Sequence, residues 1–546
     1  MAGSVIGIAG SGLNAQGGPP VVGHDGVNSR ADGARRPHAA NDIQAPPETE
    51  PTVAGDDATA DAVRRAYGRF LDDSVLHAQA QSARLGACHT GLRRIRDLLT
   101  VPESSLSPAL RSFFSGVQDV ASHAASLPAR QQLNGLAQAL VTGFHSLGAH
   151  LADMRPALNR EMSDIVSEIN SLAEELAGIN EQILRSGASG RGQLEDLVQR
   201  GELQVGRLSA LASVSAVRQS DASLDVSIAG GHNLVLAERC FRLAAAPSAE
   251  DPQDYAVFHL SGAVPTALDA AGLQGGRLCG LLAFRGETLD AAQNQLGRIA
   301  IVLAHTFNDQ HRMGADLQGD LGRGFFGVPL AAVVGKQGNT GTALVAAENS
   351  NVGALTASDY RLRLDAGVWT LIRLTDNTQT LFTGFPQTVD GVTLTLISGA
   401  AADGDSFLIR PTRNGARDIE CLSTDPARIA AAAPGRQDPN GIYDNRNALP
   451  LAALHTRSTI GNGTASYLGA YDRMVEEIGG RAHAIEAQGR AHDALLEQAR
   501  ATRQSLPEAD LAEEAATLIR RQHAYQASGK AVQAAAQLFD SILELA

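Results

Sequence analysis

Cysteine is scarce and scattered in this chain. Its four cysteines, Cys88, Cys240, Cys279 and Cys421, form no Cys-x-x-Cys pair, so they give no support to a zinc or redox centre and read as small buried apolar residues. Aromatic residues amount to 4%, with a single tryptophan, Trp369, too few to line a deep, ring-walled enzyme pocket. No apolar run approaches the roughly 20 residues that a membrane helix needs, and no membrane insertion is expected. The opening "MAGSVIGIAGSGLNAQGG" lacks the charged and apolar regions of a cleaved signal peptide. Cytosolic residence and export by a route that reads no such signal both fit. Excess basic charge is lacking too. With 45 Lys and Arg against 59 Asp and Glu, the net charge is −14, and no nucleic-acid partner is expected.

Catalytic and ligand-binding signatures are equally thin. There is no G-x-S-x-G, no H-E-x-x-H and no EF-hand loop. "GKQGNTG" at Gly335 has Leu330 where a phosphate loop needs its first glycine, and Gln337 where it needs Ser or Thr; a turn is expected. "GADLQGDLGRGFF" offers Asp316 and Asp320 but lacks the alternating oxygens and distal Glu of a calcium loop. The histidines do not group: His305 and His311 fall on different faces of one expected helix, and His483 and His492 are nine apart. No catalytic residue, metal ligand or cofactor is expected.

What the chain has is long-range helical periodicity. Leu158, Met162, Ile165, Ile169, Leu172, Leu176, Ile179 and Ile183 are spaced 4-3-4-3-4-3-4, the stripe of a coiled-coil-grade helix. Shorter helices are expected in "LSPALRSFFSGVQDVASH" and "LPARQQLNGLAQALVTGFHSLGAHL", with Pro108 and Pro128 in their first turns. Tyr467, Tyr471, Met474, Ile478, Ile485 and Leu495 keep a second stripe. A third runs to the end through Leu511, Leu518, Tyr525, Val532, Phe539 and Leu543. Period-2 alternation marks strands in "SLDVSIAGGHNLVLAE", "DYAVFHL", "DYRLRLDAGVWTLIRL", "QTVDGVTLTLI" and "DSFLIRPT", with Asp390–Gly391 as a hairpin turn.

The expected fold is therefore α+β and multidomain: an α-helical coiled-coil or bundle stalk from both chain ends, with mainly-β domains inserted. The boundaries read as an N-terminal segment over 1–60, largely disordered in the monomer, a helical domain over 61–212 and a β-rich domain over 213–287. A helical return follows over 288–320, then a second β-rich domain over 321–430 and a C-terminal helical assembly domain over 431–546.

Particular segments then carry a resemblance. "EEAATLIRRQHAYQASGKAVQAAAQLFDSILEL" is similar to the carboxyl-terminal helix of flagellar axial proteins. "LSPALRSFFSGVQDVASH", "LGRIAIVLAHTFNDQHRMGADLQGDLGRGFF", "DNRNALPLAAL" at 444–454 and "SYLGAYDRMVEEIG" at 466–479 narrow it to the hook-associated protein 1 family, from about residue 61 to 546. The resemblance implies a non-enzymatic junction protein between flagellar hook and filament, extracellular once exported through the flagellar type III apparatus without a cleaved signal. It implies as partners hook protein, the third hook-associated protein, other copies of the chain in a ring, and a cytoplasmic export chaperone. It also implies that the terminal stripe, Leu511, Leu518, Tyr525, Val532, Phe539 and Leu543, is the assembly interface. Another axial protein, or a secreted adhesin or effector on the axial scaffold, is the alternative reading. Two stretches depart from the family pattern. "SGLNA" at 11–15 is followed by Gly17, Gly18, Pro19 and Pro20, which break a helix. "QLEDLVQRGELQVGRL" at 193–208 keeps only part of the expected pattern, in Leu194, Leu197, Leu203 and Leu208.

Overall fold

The computed structural model describes residues 56–100, 105–185, 191–262, 264–435 and 442–504. The terminal stripe from Leu511 to Leu543 and the departure at 11–20 lie outside the described residues. Contacts divide the chain into two units, residues 1–75 with 497–546, and residues 76–496. In the first, the described parts are helical, and Arg503 pairs with Asp72 at 2.8 Å.

Helices α1 (Asp56–Thr100), α2 (Leu106–Ser122), α3 (Leu127–Arg185) and α4 (Arg191–Leu211) open the described chain. The two helices expected between 127 and 183 are one 59-residue helix that runs through Pro156. Proline removes one intrahelical hydrogen bond and crowds the preceding turn, a cost of about 3 kcal/mol. Here the apolar face continues on both sides, with Phe144, Leu147, Leu151, Leu158 and Met162 all buried. Burial at about 1.5–3 kcal/mol per large side chain outweighs the break.

Four strands, β1 (Val214–Arg218), β2 (Leu224–Ile228), β3 (His232–Leu236) and β4 (Arg239–Cys240), make one antiparallel sheet in that order. Strands β5 (Arg242–Pro247), β6 (Tyr255–Leu260) and β7 (Thr266–Ala267) make a second. This β-region differs from the separate domain expected over 213–287 in two ways. Leu224, Val226, Ile228, Leu234, Val235, Leu243 and Val257 belong to the same core as the helices. The strands also end at Ala267, and helix begins at Gly276 rather than 288: α5 (Gly276–Phe284), a π-helical turn at Arg285–Leu289, then α6 (Asp290–Arg312). Gly275, Gly276 and Gly280 serve close packing. A methyl group on Gly276 would lie 2.5 Å from the backbone of Ala212, and one on Gly280 would lie 2.8 Å from the Ala87 side chain.

The chain then builds a compact β-domain with its own core, formed by Val345, Leu355, Tyr360, Leu362, Trp369, Leu371, Val392, Leu394, Phe407 and Ile409, joined by Ile301 from α6. Before it comes the short strand β8 (Phe326–Gly327). The domain's five-stranded sheet has the order β13-β12-β11-β16-β9, from β9 (Ala332–Gly335), β11 (Tyr360–Asp365), β12 (Val368–Arg373), β13 (Gln379–Phe382) and β16 (Ser406–Arg410). A three-stranded sheet contains β10 (Leu344–Asn349), β14 (Gln387–Val389) and β15 (Val392–Ser398). Two hairpins turn through consecutive positive-φ residues, Ala366 (49°)–Gly367 (78°) and Asp390 (52°)–Gly391 (80°). That is the type I′ geometry that matches strand twist. Strand β17 (Glu420–Cys421) returns to pair with β8, and α7 (Gly415–Asp418), α8 (Ala448–Ala453) and α9 (Tyr467–Gln504) complete the described chain. On α9 the expected stripe holds at Tyr467, Tyr471, Met474 and Ile478, which are buried, but Leu495 is exposed and Leu496 is buried instead. An α-helix drifts about 20° per heptad against a strict seven-residue repeat, so a 3-4 count loses phase over a long helix.

Candidate assembly surface

The six residues expected to form the assembly interface, Leu511, Leu518, Tyr525, Val532, Phe539 and Leu543, lie outside the described residues, and the structure neither unites nor separates them. The described residues instead supply a rigid frame, held at three places.

The first is a ring cluster built from three sequence segments, "SFFSG", "HTFNDQH" and "GRGFFG". Phe113 lies 5.1 Å from Phe114, 5.3 Å from Phe307, 6.3 Å from Phe325 and 5.6 Å from Phe326, centre to centre. Asn308 fixes the Phe325–Phe326 backbone, accepting from both N–H groups and donating to the Phe326 carbonyl. Tyr467 of α9 stacks on Phe114 and hydrogen-bonds Thr306 at 2.6 Å.

The second joins the end of α6 to residues 427–432 and to Asn447. Asn447 donates to the Ala430 carbonyl at 2.7 Å and accepts from Gln310 at 2.8 Å. Buried Arg130 donates to the carbonyls of Ala124 at 2.7 Å and Ile429 at 2.6 Å, and burial pushes its pKa down to about 10. Asp316 and Asp320, considered for a cation, meet one already in the chain: Arg428 lies 3.2 Å from the first carboxylate and 2.5 Å from the second.

His311 sits in the same place. Its Nδ1 donates to the Arg323 carbonyl at 2.7 Å, and its Nε2 accepts from the Ala430 N–H at 2.9 Å. A protonated ring would lose that acceptor, and burial already lowers the His311 pKa from its ordinary value; His305 is lowered for the same reason. Below about pH 6.5 the unfolded chain takes up protons that the folded one refuses. Stability is therefore present above that pH and lost as pH falls through 6.5 toward the folded-state value. The expected loss is about 1 kcal/mol per pH unit for His311. Melting of His311→Gln between pH 5 and 7 should be flatter than wild type, and an identical slope would dismiss the role of His311.

The third place sets the β-domain on the helices. Arg155 of α3, 5% exposed, pairs with Asp254 from the β5–β6 turn and with Asp290 of α6, and donates to Gln293 at 3.0 Å. Burial opposes its charge, but Asp290 and Asp254 outweigh burial and hold its pKa above the ordinary value. From the β-domain side, Arg413 pairs with Asp290 at 3.0 Å and with Asp359. Burial pushes the Asp359 carboxyl up to about 6 against the pull of Arg413. Arg410 pairs with Asp251, and Thr412 donates to Asn294 at 2.8 Å. The π-turn lies inside this network, because its first residue, Arg285, donates to the Tyr255 carbonyl at 2.9 Å and Asp290 directly follows its last.

Beside the network, Gly297 of α6 and Gly415 pack backbone to backbone, and a methyl on Gly297 would overlap the Thr412 carbonyl. Gly297→Ala is expected to cost about 1–3 kcal/mol by overpacking, read in thermal melts. Wild-type stability in that variant would mean that the contact is compliant.

Sequence reading missed this network because its partners are remote: Arg155 is 99 residues from Asp254 and 135 from Asp290. One signal was available. Arg155 occupies an inward position between Leu151 and Leu158, where a charged residue without a partner is not tolerated.

A cavity lined by Gly148, Leu151, Gln293 and Arg413 has a volume of about 20 Å³, space for a water molecule.

Known proteins match over both the helical core and the β-domain. The model of the flagellar hook-associated protein FlgK helical domain matches residues 92–326, and that of the flagellar hook-associated protein 1 D2-like domain matches residues 334–411. Flagellar hook-associated protein 1 of Escherichia coli (strain K12) is 31% identical over 495 residues, 88% of either chain. Its counterpart in Salmonella typhimurium is 31% identical over 498 residues, 88% of this chain and 89% of that one. The solved structure of the flagellar hook junction protein FlgK from Burkholderia pseudomallei is similar with a TM-score of 0.73 at 25% identity, covering 80% of this chain and 100% of that chain. With 31% identity across nearly its whole length, and with both the helical core and the β-domain matched, this chain belongs to the flagellar hook-associated protein 1 family.

Proposed function

We propose that this chain is a structural subunit of the junction between flagellar hook and filament, located outside the cell on the flagellum. The observation that carries the reading is the joint match of helical core and β-domain to hook-associated protein 1 relatives over 88% of the chain. In this reading the chain is exported by the flagellar type III apparatus without a cleaved signal, escorted beforehand by a cytoplasmic chaperone. It then forms a ring that meets hook protein on one side and the third hook-associated protein on the other. The terminal stripe of Leu511, Leu518, Tyr525, Val532, Phe539 and Leu543 supplies the assembly contact, since a helix with such a seam gains stability from a partner. The frame described above supports this role: paired charges and close-packed glycines hold the β-domain at one setting, as a subunit repeated around a tube requires.

Deletion of the gene, followed by electron microscopy and a blot of the medium for flagellin, tests the proposal. Bare hooks with flagellin lost to the medium are expected, and wild-type chain should restore filaments. Complementation by a Phe539→Asp, Leu543→Asp double variant should leave the hooks bare, because burying unpaired charge in the seam is unfavourable. Full filaments after deletion would overturn the junction role, and restoration by the double variant would overturn the assembly contact alone.

A further inference from the structure

We infer that His232 and His259 form a binding site for a late first-row divalent metal ion, Cu²⁺ or Zn²⁺, between the two sheets of the first β-region. His232 opens β3 opposite Ile228 of β2. His259 lies on β6, opposite Leu243 of β5 and Thr266 of β7. The two imidazole centres are 5.2 Å apart with their planes at 50°. Two imidazoles sharing one tetrahedral ion, each at about 2.0–2.1 Å, bring their centres about 5 Å apart.

The protonation of His259 favours the same conclusion. Its Nε2 lies 2.7 Å from the Asn233 carbonyl oxygen. A carbonyl only accepts, so Nε2 carries the hydrogen and Nδ1 keeps a bare lone pair. This Nδ1 is buried, in a residue 3% exposed, and has no hydrogen-bond partner among the described residues. A buried acceptor left unmet is rare and asks for a ligand. Histidines that bind metals characteristically hold the ring by donating the second N–H to a backbone carbonyl, as His259 does. Phe241, 6.0 Å from the His259 ring, adds an apolar wall.

Among the described residues no group of three or more His, Cys, Asp or Glu side chains is placed to hold an ion. The site is thus a two-imidazole chelate whose other positions belong to water, weaker than a four-ligand structural zinc. Imidazole nitrogen suits both ions, and of the divalent first-row series Cu²⁺ binds tightest. The resulting cross-link would tie β3 to β6 and so join the two sheets.

The test uses the full-length protein, stripped with a chelator and titrated with CuCl₂ and, separately, with ZnCl₂. His232→Ala is compared with wild type after circular dichroism shows that both are folded. His232→Gln serves if the alanine variant is not folded. The tightest site of the wild type is expected to weaken by about tenfold or more in the variant. The electron paramagnetic resonance spectrum of bound Cu²⁺ should show coupling to two nitrogens in the wild type and lose it in the variant. Equal affinity and stoichiometry in wild type and variant, or a wild-type spectrum with fewer than two nitrogens, would overturn the site.

Discussion

Arg155→Met is expected to destabilise the folded chain by about 3–5 kcal/mol. The guanidinium is buried and holds Asp254 and Asp290, whose side chains are only 16% and 22% exposed. Removing it leaves two carboxylates in a poorly solvated place. The desolvation already spent on them is then no longer offset by an opposite charge. Arg285, 3.8 Å from Asp254, and Arg413, 3.0 Å from Asp290, provide partial relief. The loss should therefore resemble that of breaking a buried pair rather than that of isolating a bare ion. Adding Asp254→Asn to Arg155→Met should recover part of the loss, because one orphaned charge disappears. Urea unfolding of both variants measures this. A loss below about 1 kcal/mol, the range of exposed pairs, would mean that the network is effectively solvated.

Phe113→Ala is expected to cost a similar amount, about 3–5 kcal/mol, through a different mechanism. Phe113 is fully buried and meets four other rings. Truncation removes apolar burial and leaves a void among neighbours that belong to three separate segments. These cannot collapse together without moving α2, α6 and the Phe325–Phe326 stretch. Phe113→Leu should lose less, since leucine fills most of the volume and leaves little of the cavity that adds to the cost of alanine. Near-equal stability of the alanine and leucine variants would contradict the idea of a cluster that cannot relax.

The parts legible in sequence were those with local causes. The stripe from Leu158 to Ile183 is buried at all eight positions, because period and core face are the same fact for a single helix. The Asp390–Gly391 hairpin followed from turn chemistry, whereas Ala366–Gly367 was not singled out, alanine being a poor signal for a positive φ. The helix starting at Gly276 was hidden because its glycines answer to neighbours, Ala212 and Ala87, that no local window contains. The same reason hid the ion network, whose members come from α3, the β5–β6 turn, α6 and the β-domain. Whether a sheet keeps its own core or shares one is likewise a tertiary matter. Alternation in "LDVSI" and in "YRLRL" looks alike, yet the first faces helices and the second faces other strands.

The β-domain is tethered by strands that lie side by side: β9, near its beginning, pairs with β16, near its end, with Ala332 opposite Arg410. A tension carried from one helix to the next along the backbone therefore reaches this domain at two adjacent points and need not pass through its interior. Under such a load the helical core would lie in the path and the domain beside it. Its outward loops are accordingly free to change length or composition without weakening the mechanical line.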